Sequence, residues 1–181
     1  EVESSPIFAP KVLGTLAKKG LLSARLHPNV IRRCIASGGI GVLVLCLRHT
    51  PDLPEHTLVR VMQYFASEVS DEVLERYHAE THADGKAQKK KGKSKANPNA
   101  VRERLIARCL AVQCSSGFLV PCLQSNLSEA DIHMVLRVLH WWLVQYNEAA
   151  AQATNAAHKG KGPTHAQCLD WTAMMLDACF G

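Results

Sequence analysis

Apolar side chains recur three and four positions apart along almost the whole of this chain, and no stretch alternates apolar with polar. That spacing gathers side chains on one face of a helix but scatters them over both faces of a strand. Val12, Leu13, Leu16 and Ala17 form a first stripe, and Val30, Ile31, Cys34 and Ile35 a second. Leu58, Val61, Met62 and Phe65 follow, then Val73, Leu74 and Tyr77, then Val101, Leu105, Cys109 and Val112. The run 40-IGVLVLCLRH-49 is ambiguous, because valine and isoleucine favour sheets. With helices on both sides and no partner strand, a short buried helix is expected there.

Helix ends are marked by residues with specific backbone roles. Gly20 and the pair Gly38-Gly39 can close helices in the left-handed conformation, and Pro28 and Pro54 suit helix starts. Asn97-Pro98-Asn99 reads as a cap and turn, and Ser128-Glu-Ala-Asp131 and Thr164-His-Ala-Gln167 resemble capping boxes. Gly117 is expected to interrupt, with only a short turn at Pro121. The helix from Ser128 to about Ala151 is apolar nearly all round, which predicts the buried axis of the fold. These features predict an all-α chain of antiparallel helix pairs, forming a bundle or a short helical-repeat array. Residues 1–181 read as a single helical domain with a disordered basic loop at 83–98 and a linker at 154–163. The first residue is Glu1, and the longest apolar run, 38–47, is about half of the ~20 residues a bilayer span needs. The chain therefore reads as a soluble piece of something longer, with no membrane partner.

Charge is concentrated in one place. Of 21 Lys and Arg, six lie in 85-GKAQKKKGKSK-95, leaving 15 against 16 acidic residues. A body so near neutrality has no global field drawing it onto nucleic acid. The lysine run is too polar to pack, so it reads first as a solvated loop. Lys89, Lys90, Lys91 and Lys93 also fit a short basic nuclear-localisation signal. A nucleic-acid contact extended by Arg102, Arg104 and Arg108 is the third reading. Glu103 interrupts those arginines, and no aromatic residues interleave to stack bases.

Assembled chemistry is scarce. The seven cysteines are odd in number and lack C-x-x-C spacing, and nearly all sit among aliphatic residues, as reduced core positions of an intracellular protein do. His78 and His82 share a helix face, but the glutamate between them is Glu80, not the residue after His78 that a zincin needs. His133, Arg137 and His140 form a polar stripe, and a permanent cation between two histidines disfavours a metal. No nucleophile elbow, phosphate loop or dinucleotide fingerprint is present, so neither enzyme activity, nor a metal, nor a cofactor is expected. Trp141, Trp142 and Trp171 all lie after residue 100, and tryptophan is enriched at binding hot spots. A partner surface is expected around their helices.

Three segments, 53-LPEHTLVRVMQYF-65, 128-SEADIHMVLRVLHWWLVQY-146 and 168-CLDWTAMMLDACF-180, together resemble the carboxyl-terminal helical region of the nucleolar protein 11 family. The last carries the resemblance furthest, with Asp-Trp and then Leu-Asp-Ala before an aromatic. The resemblance implies a nuclear, nucleolar protein with an amino-terminal β-propeller outside this chain. It implies membership of the transcription-linked subcomplex of the small-subunit processome, supporting pre-ribosomal RNA transcription and early processing. This segment would then be a non-enzymatic scaffold docking other protein subunits of a nucleolar pre-ribosomal complex, propeller-bearing ones among them. The alternative is an RNA-binding helical domain using the lysine run and the neighbouring arginines.

Overall fold

Helix ends fall largely where local chemistry puts them. In the computed structural model, which describes residues 10–23, 28–50, 52–83, 97–151 and 162–181, helix α1 (Pro10–Lys18) closes at Gly20 with φ 68°. Gly20 N donates to the Ala17 carbonyl and Leu21 N to that of Leu16, the paired reverse bonds of a left-handed cap. Helix α2 (Pro28–Ala36) ends the same way at Gly38, φ 67°, with Gly39 N bonded to Cys34 O. The ambiguous run is helical, as α3 (Ile40–His49), with Ile40, Val42, Leu43, Cys46 and Leu47 buried.

The described chain is all-α, with helix packed on helix and no strand among the described residues. It divides into two compact units, Glu1–Pro54 and Glu55–Gly181. In the first, α3 packs against both α1 and α2. Gly14 permits the α1 contact, because a Cβ there would stand 3.1 Å from Leu45 Cδ1.

The second unit holds α4 (Glu55–Gln63), α5 (Asp71–Ala83), α6 (Pro98–Leu110), α7 (Ser116–Asn126), α8 (Glu129–Ala151) and α9 (His165–Phe180). Asn97 caps α6 by accepting from Asn99 N. Ser128 and Asp131 bond reciprocally at the start of α8, and Thr164 with Gln167 forms a complete capping box on α9. Tyr146, near the end of α8, donates its hydroxyl to Pro163 O at 2.7 Å, folding the chain back into α9.

Three features depart from the expectations. Residues 116–126 form a full helix, α7, not an interruption and a short turn. Gly117 lies in its first turn, where backbone bonding is incomplete anyway. Pro121 sits only five residues from the start, so its missing N–H deprives just the Gly117 carbonyl. The second departure is a π-helical turn, Tyr64–Glu68, that continues α4. One extra residue per turn leaves no mark on a stripe that ends at Phe65. The third concerns the buried axis, which in the 55–181 unit is α6 and not α8. Helix α6 packs on α4, the π turn, α5, α8 and α9, and buries Val101, Arg102, Leu105, Ile106, Ala107, Cys109 and Leu110. Helix α8 buries Val135, Val138, Leu139 and Trp142 but exposes His133, Arg137, His140 and Trp141.

Candidate functional site

Helices α5, α6 and α8 bound an open groove of about 1030 Å³, lined by fourteen residues that include Tyr77 and His78, Arg104 and Arg108, and Arg137 and Trp141. Its apolar side comes from Val101 and Leu105 of α6 and from Val138 and Trp142 of α8, which are buried. Trp141 is 51% exposed and meets Trp142 edge to face, ring centroids 5.2 Å apart. Trp142 leans in turn on Tyr146 at 6.0 Å, and Tyr146 on His165 at 5.4 Å. With the Tyr146 hydroxyl bonded to Pro163, this aromatic chain fixes the position of Trp141 on the groove wall.

Glycine is required at the base of that chain. A Cβ on Gly162 would intrude into the six-membered ring of Trp142. Gly162→Ala is therefore expected to destabilise the 55–181 unit by about 1–3 kcal/mol, the usual range for overpacking. Urea unfolding followed by tryptophan fluorescence checks this, and an unchanged midpoint would show that the ring yields freely.

The three arginines of α6 separate. Arg104 and Arg108, one turn apart, line the groove. Burial pushes the Tyr77 phenol up, and the nearby Arg108 and Arg104 cations oppose that shift, so both act on the same wall. Arg102 is buried and points the other way. Its Nη1 donates to the carbonyls of Phe65, Ala66 and Val69 at 3.2–3.3 Å, and its Nη2 to Val69 O at 3.2 Å and to the Asp71 carboxylate at 2.9 Å. Those carbonyls close the π turn, where intrahelical donors run out. Its donors are thus committed inward, so this position presents no cation to a phosphate. The sequence holds the signal: Leu105, Ile106 and Cys109 lie three, four and seven residues after Arg102, on one helix face, whereas Arg104 and Arg108 share another.

Other candidates are placed as follows. Trp171 is 1% exposed within α9, and Trp142 is also buried, so of the three tryptophans Trp141 alone is exposed. Arg137 pairs with Glu103 at 3.0 Å across α8 and α6, and His133 and His140 are exposed beside it. His78 lines the groove, while the His82 side chain lies outside the described residues, as do Lys89, Lys90, Lys91 and Lys93. Among the described residues no cluster of His, Cys, Asp and Glu could hold a metal, and no helix is long and apolar enough to cross a membrane. Burial pushes the Cys34 thiol up to about 12, Cys114 and Cys168 to about 11, and Cys109 also upward. The thiolate is the reactive form, so these four are poor nucleophiles at neutral pH. A second apolar surface lies on α9, one of the helices on which a partner surface is expected, at residues the sequence does not single out: Leu169, Leu176 and Phe180 are exposed at helical spacing.

A family model for the nucleolar protein 11 C-terminal domain matches residues 4–181. The chain belongs to the nucleolar protein 11 C-terminal domain family. The resemblance carried by three short segments therefore extends over nearly the whole sequence. Across 98% of its length the chain is 24% identical to nucleolar protein 11 of Gallus gallus, and equally so to that of Bos taurus. It spans 29% and 30% of the lengths of those two relatives. Membership in the nucleolar protein 11 family places the chain in the nucleus, at the nucleolus.

Proposed function

We propose that this domain is a non-enzymatic, protein-docking scaffold in nucleolar ribosome biogenesis. It serves pre-ribosomal RNA transcription and processing and the assembly of the small-subunit processome. Its partners are other protein subunits of that machinery, propeller-bearing ones among them. The observation that carries the docking part is Trp141, half-exposed over a groove with an apolar wall and held in place by Trp142 and Tyr146. Tryptophan is enriched at interface hot spots, and a side chain already held in place loses little freedom on binding. Affinity purification of the full-length protein after RNase treatment tests this, with residues 55–181 replaced by an unrelated helical segment in the comparison sample. Loss of the co-purifying subunits is expected, and their full retention would sink the proposal.

The second reading, an RNA-binding domain, draws support from the lysine run and from exposed Arg104. Removing Gly85–Lys95 separates the two. Loop closure depends only logarithmically on length, by about 0.6 kcal/mol per doubling. The deletion is therefore expected to leave the melting temperature within a few degrees and protein partners bound. Intact folding with protein partners retained but RNA association abolished would shift the function to the lysines. In that case RNA affinity measured across a salt series should fall steeply, as phosphate contacts require.

A further inference from the structure

We infer that the exposed face of α9 is one half of a coiled-coil seam, which receives an amphipathic helix of a protein partner whose own seam is bordered by lysine or arginine. The inference rests on the scaffold reading and adds a docking surface to the one at Trp141.

Helix α9 has two unlike faces. Cys168, Trp171, Met174 and Met175 are buried against the rest of the 55–181 unit. On the other side Ala166, Leu169, Ala173, Leu176 and Phe180 are all exposed, at successive intervals of three, four, three and four residues. That spacing is the a–d repeat of a coiled coil. A continuous apolar row of this kind, ending at a Phe180 that is 85% exposed, marks an interaction site, unlike apolar residues scattered singly. Ala166 and Ala173 beside Leu169 and Leu176 leave holes into which a partner's leucines can insert as knobs. The helix does not wait for that partner to form, because its other face is already packed and Thr164 with Gln167 caps its start. Docking on it therefore costs little ordering on this side.

Charge names the occupant. Asp170 and Asp177 lie seven residues apart along one margin of the row, both exposed. Helix α9 contains no lysine or arginine, and α7, packed beside it, contains no charged residue at all. Among the described residues neither aspartate has an ion-pair partner; Arg60, Arg102 and Arg137 pair with Glu68, Asp71 and Glu103 instead. The other margin holds His165, which stacks on Tyr146, and the uncharged Thr172 and Cys179. Burial pushes the Cys114 thiol up, and the carboxylates of Glu55 and Asp170 add to that shift, so a third acid lies near the start of the same margin. A helix laid along the row sets its own margin against Asp170 and Asp177, where lysine and arginine attract and acids repel. A second copy of this chain does not meet that demand. Antiparallel copies would bring the aspartate margins together, and parallel ones would set them against His165, Thr172 and Cys179, with no permanent cation. RNA phosphates would be repelled by the same carboxylates.

The first arm of the test is titration of a labelled three-heptad peptide, leucine at a and d and lysine at e and g, onto the 181-residue chain by fluorescence anisotropy. Saturable binding is expected, weakened about tenfold by Asp170→Lys/Asp177→Lys and again by Leu169→Ala/Leu176→Ala, and unchanged by the control Glu80→Lys. The same peptide with glutamate at e and g should bind Asp170→Lys/Asp177→Lys better than wild type. All four altered α9 side chains are exposed, and lysine and alanine are good helix formers, so the fold persists. The second arm places a photoreactive benzophenone side chain at Ala173 of the full-length protein and sequences the crosslinked peptide by mass spectrometry. A segment of another protein is expected, with apolar heptads bordered by lysine or arginine. No peptide binding, binding indifferent to reversal of the two aspartates, or crosslinks only to a second copy, to RNA or to an acid-bordered segment overturns the inference. If Ala173 crosslinks to no protein while RNase-resistant partners still co-purify, the seam is wrong but the scaffold stands. If the full-length protein has no such partners, the scaffold fails as well.

Discussion

Replacing Arg102 with alanine is expected to destabilise the 55–181 unit by about 3–5 kcal/mol, the cost of breaking a buried, charge-assisted network from one side. The guanidinium satisfies three carbonyls at the end of the π turn and holds the first residue of α5 through Asp71. Removing it strands those carbonyls in a space that water must enter or that must collapse, and each unmet buried acceptor costs about 1–3 kcal/mol. A domain stability of about 5–15 kcal/mol leaves such a variant near its limit. Chemical unfolding gives the free-energy change, and hydrogen exchange should show residues 64–71 opening first. A loss below about 1 kcal/mol would mean that the π turn keeps its shape without the arginine.

Two companion variants make the claim specific. Arg102→Lys keeps the charge but has no planar fork to span three carbonyls, so most of the loss should remain. Asp71→Asn should cost under about 1 kcal/mol, because the Asp71 side chain is 67% exposed and its pairing is screened by solvent. The asymmetry between two partners of one ion pair identifies the backbone carbonyls, not the carboxylate, as what Arg102 is there to satisfy.

The features that sequence reveals here are those decided within a few residues. Gly20 and Gly38 stop helices because a left-handed φ costs glycine nothing, and Asn97, Ser128 and Thr164 start them because their side chains reach nearby N–H groups. The helical identity of 40–49 followed from its neighbours, not from its own strand-like composition. Features decided by tertiary contact were not legible. The spacing of Leu58, Val61, Met62 and Phe65 is the same whether the next turn is α or π, and what holds the π turn is an arginine 36 residues beyond Ala66. Helix α8 is the longest and its composition suggested a central place, yet its 133–137–140–141 face is exposed, while α6 serves as the hub. Gly117 and Pro121 suggest an interruption with only a short turn because propensity ranks both against helix interiors, though near a helix start the bond lost to proline is small. Of the candidate site, the tryptophan-bearing helix was visible, but which indole faces outward depended on where α6 and the 162–164 turn sit.

That division among the tryptophans yields the second large effect. Trp171→Ala is expected to cost about 3–5 kcal/mol, as loss of a fully buried indole does, because Trp171 is 1% exposed on a helix packed against α6, α7 and α8. The cavity cannot easily close, since Cys168, Met174 and Met175 flank it on the same helix and are themselves buried. Trp141→Ala should cost only about 1 kcal/mol, mainly the edge-to-face contact with Trp142. Partner binding should respond differently. At a temperature where both variants remain folded, Trp171→Ala is expected to retain affinity for protein partners docked at Trp141, and Trp141→Ala to lose it. Paired urea melts and pull-downs of the same preparations decide the matter. A Trp141→Ala variant that folds and binds as wild type would return this indole to the ordinary population of exposed aromatic side chains. Weakened binding by a folded Trp171→Ala would mean instead that a partner docked at Trp141 also reads the packing of α9, joining its exposed Leu169–Leu176–Phe180 face to the same interface.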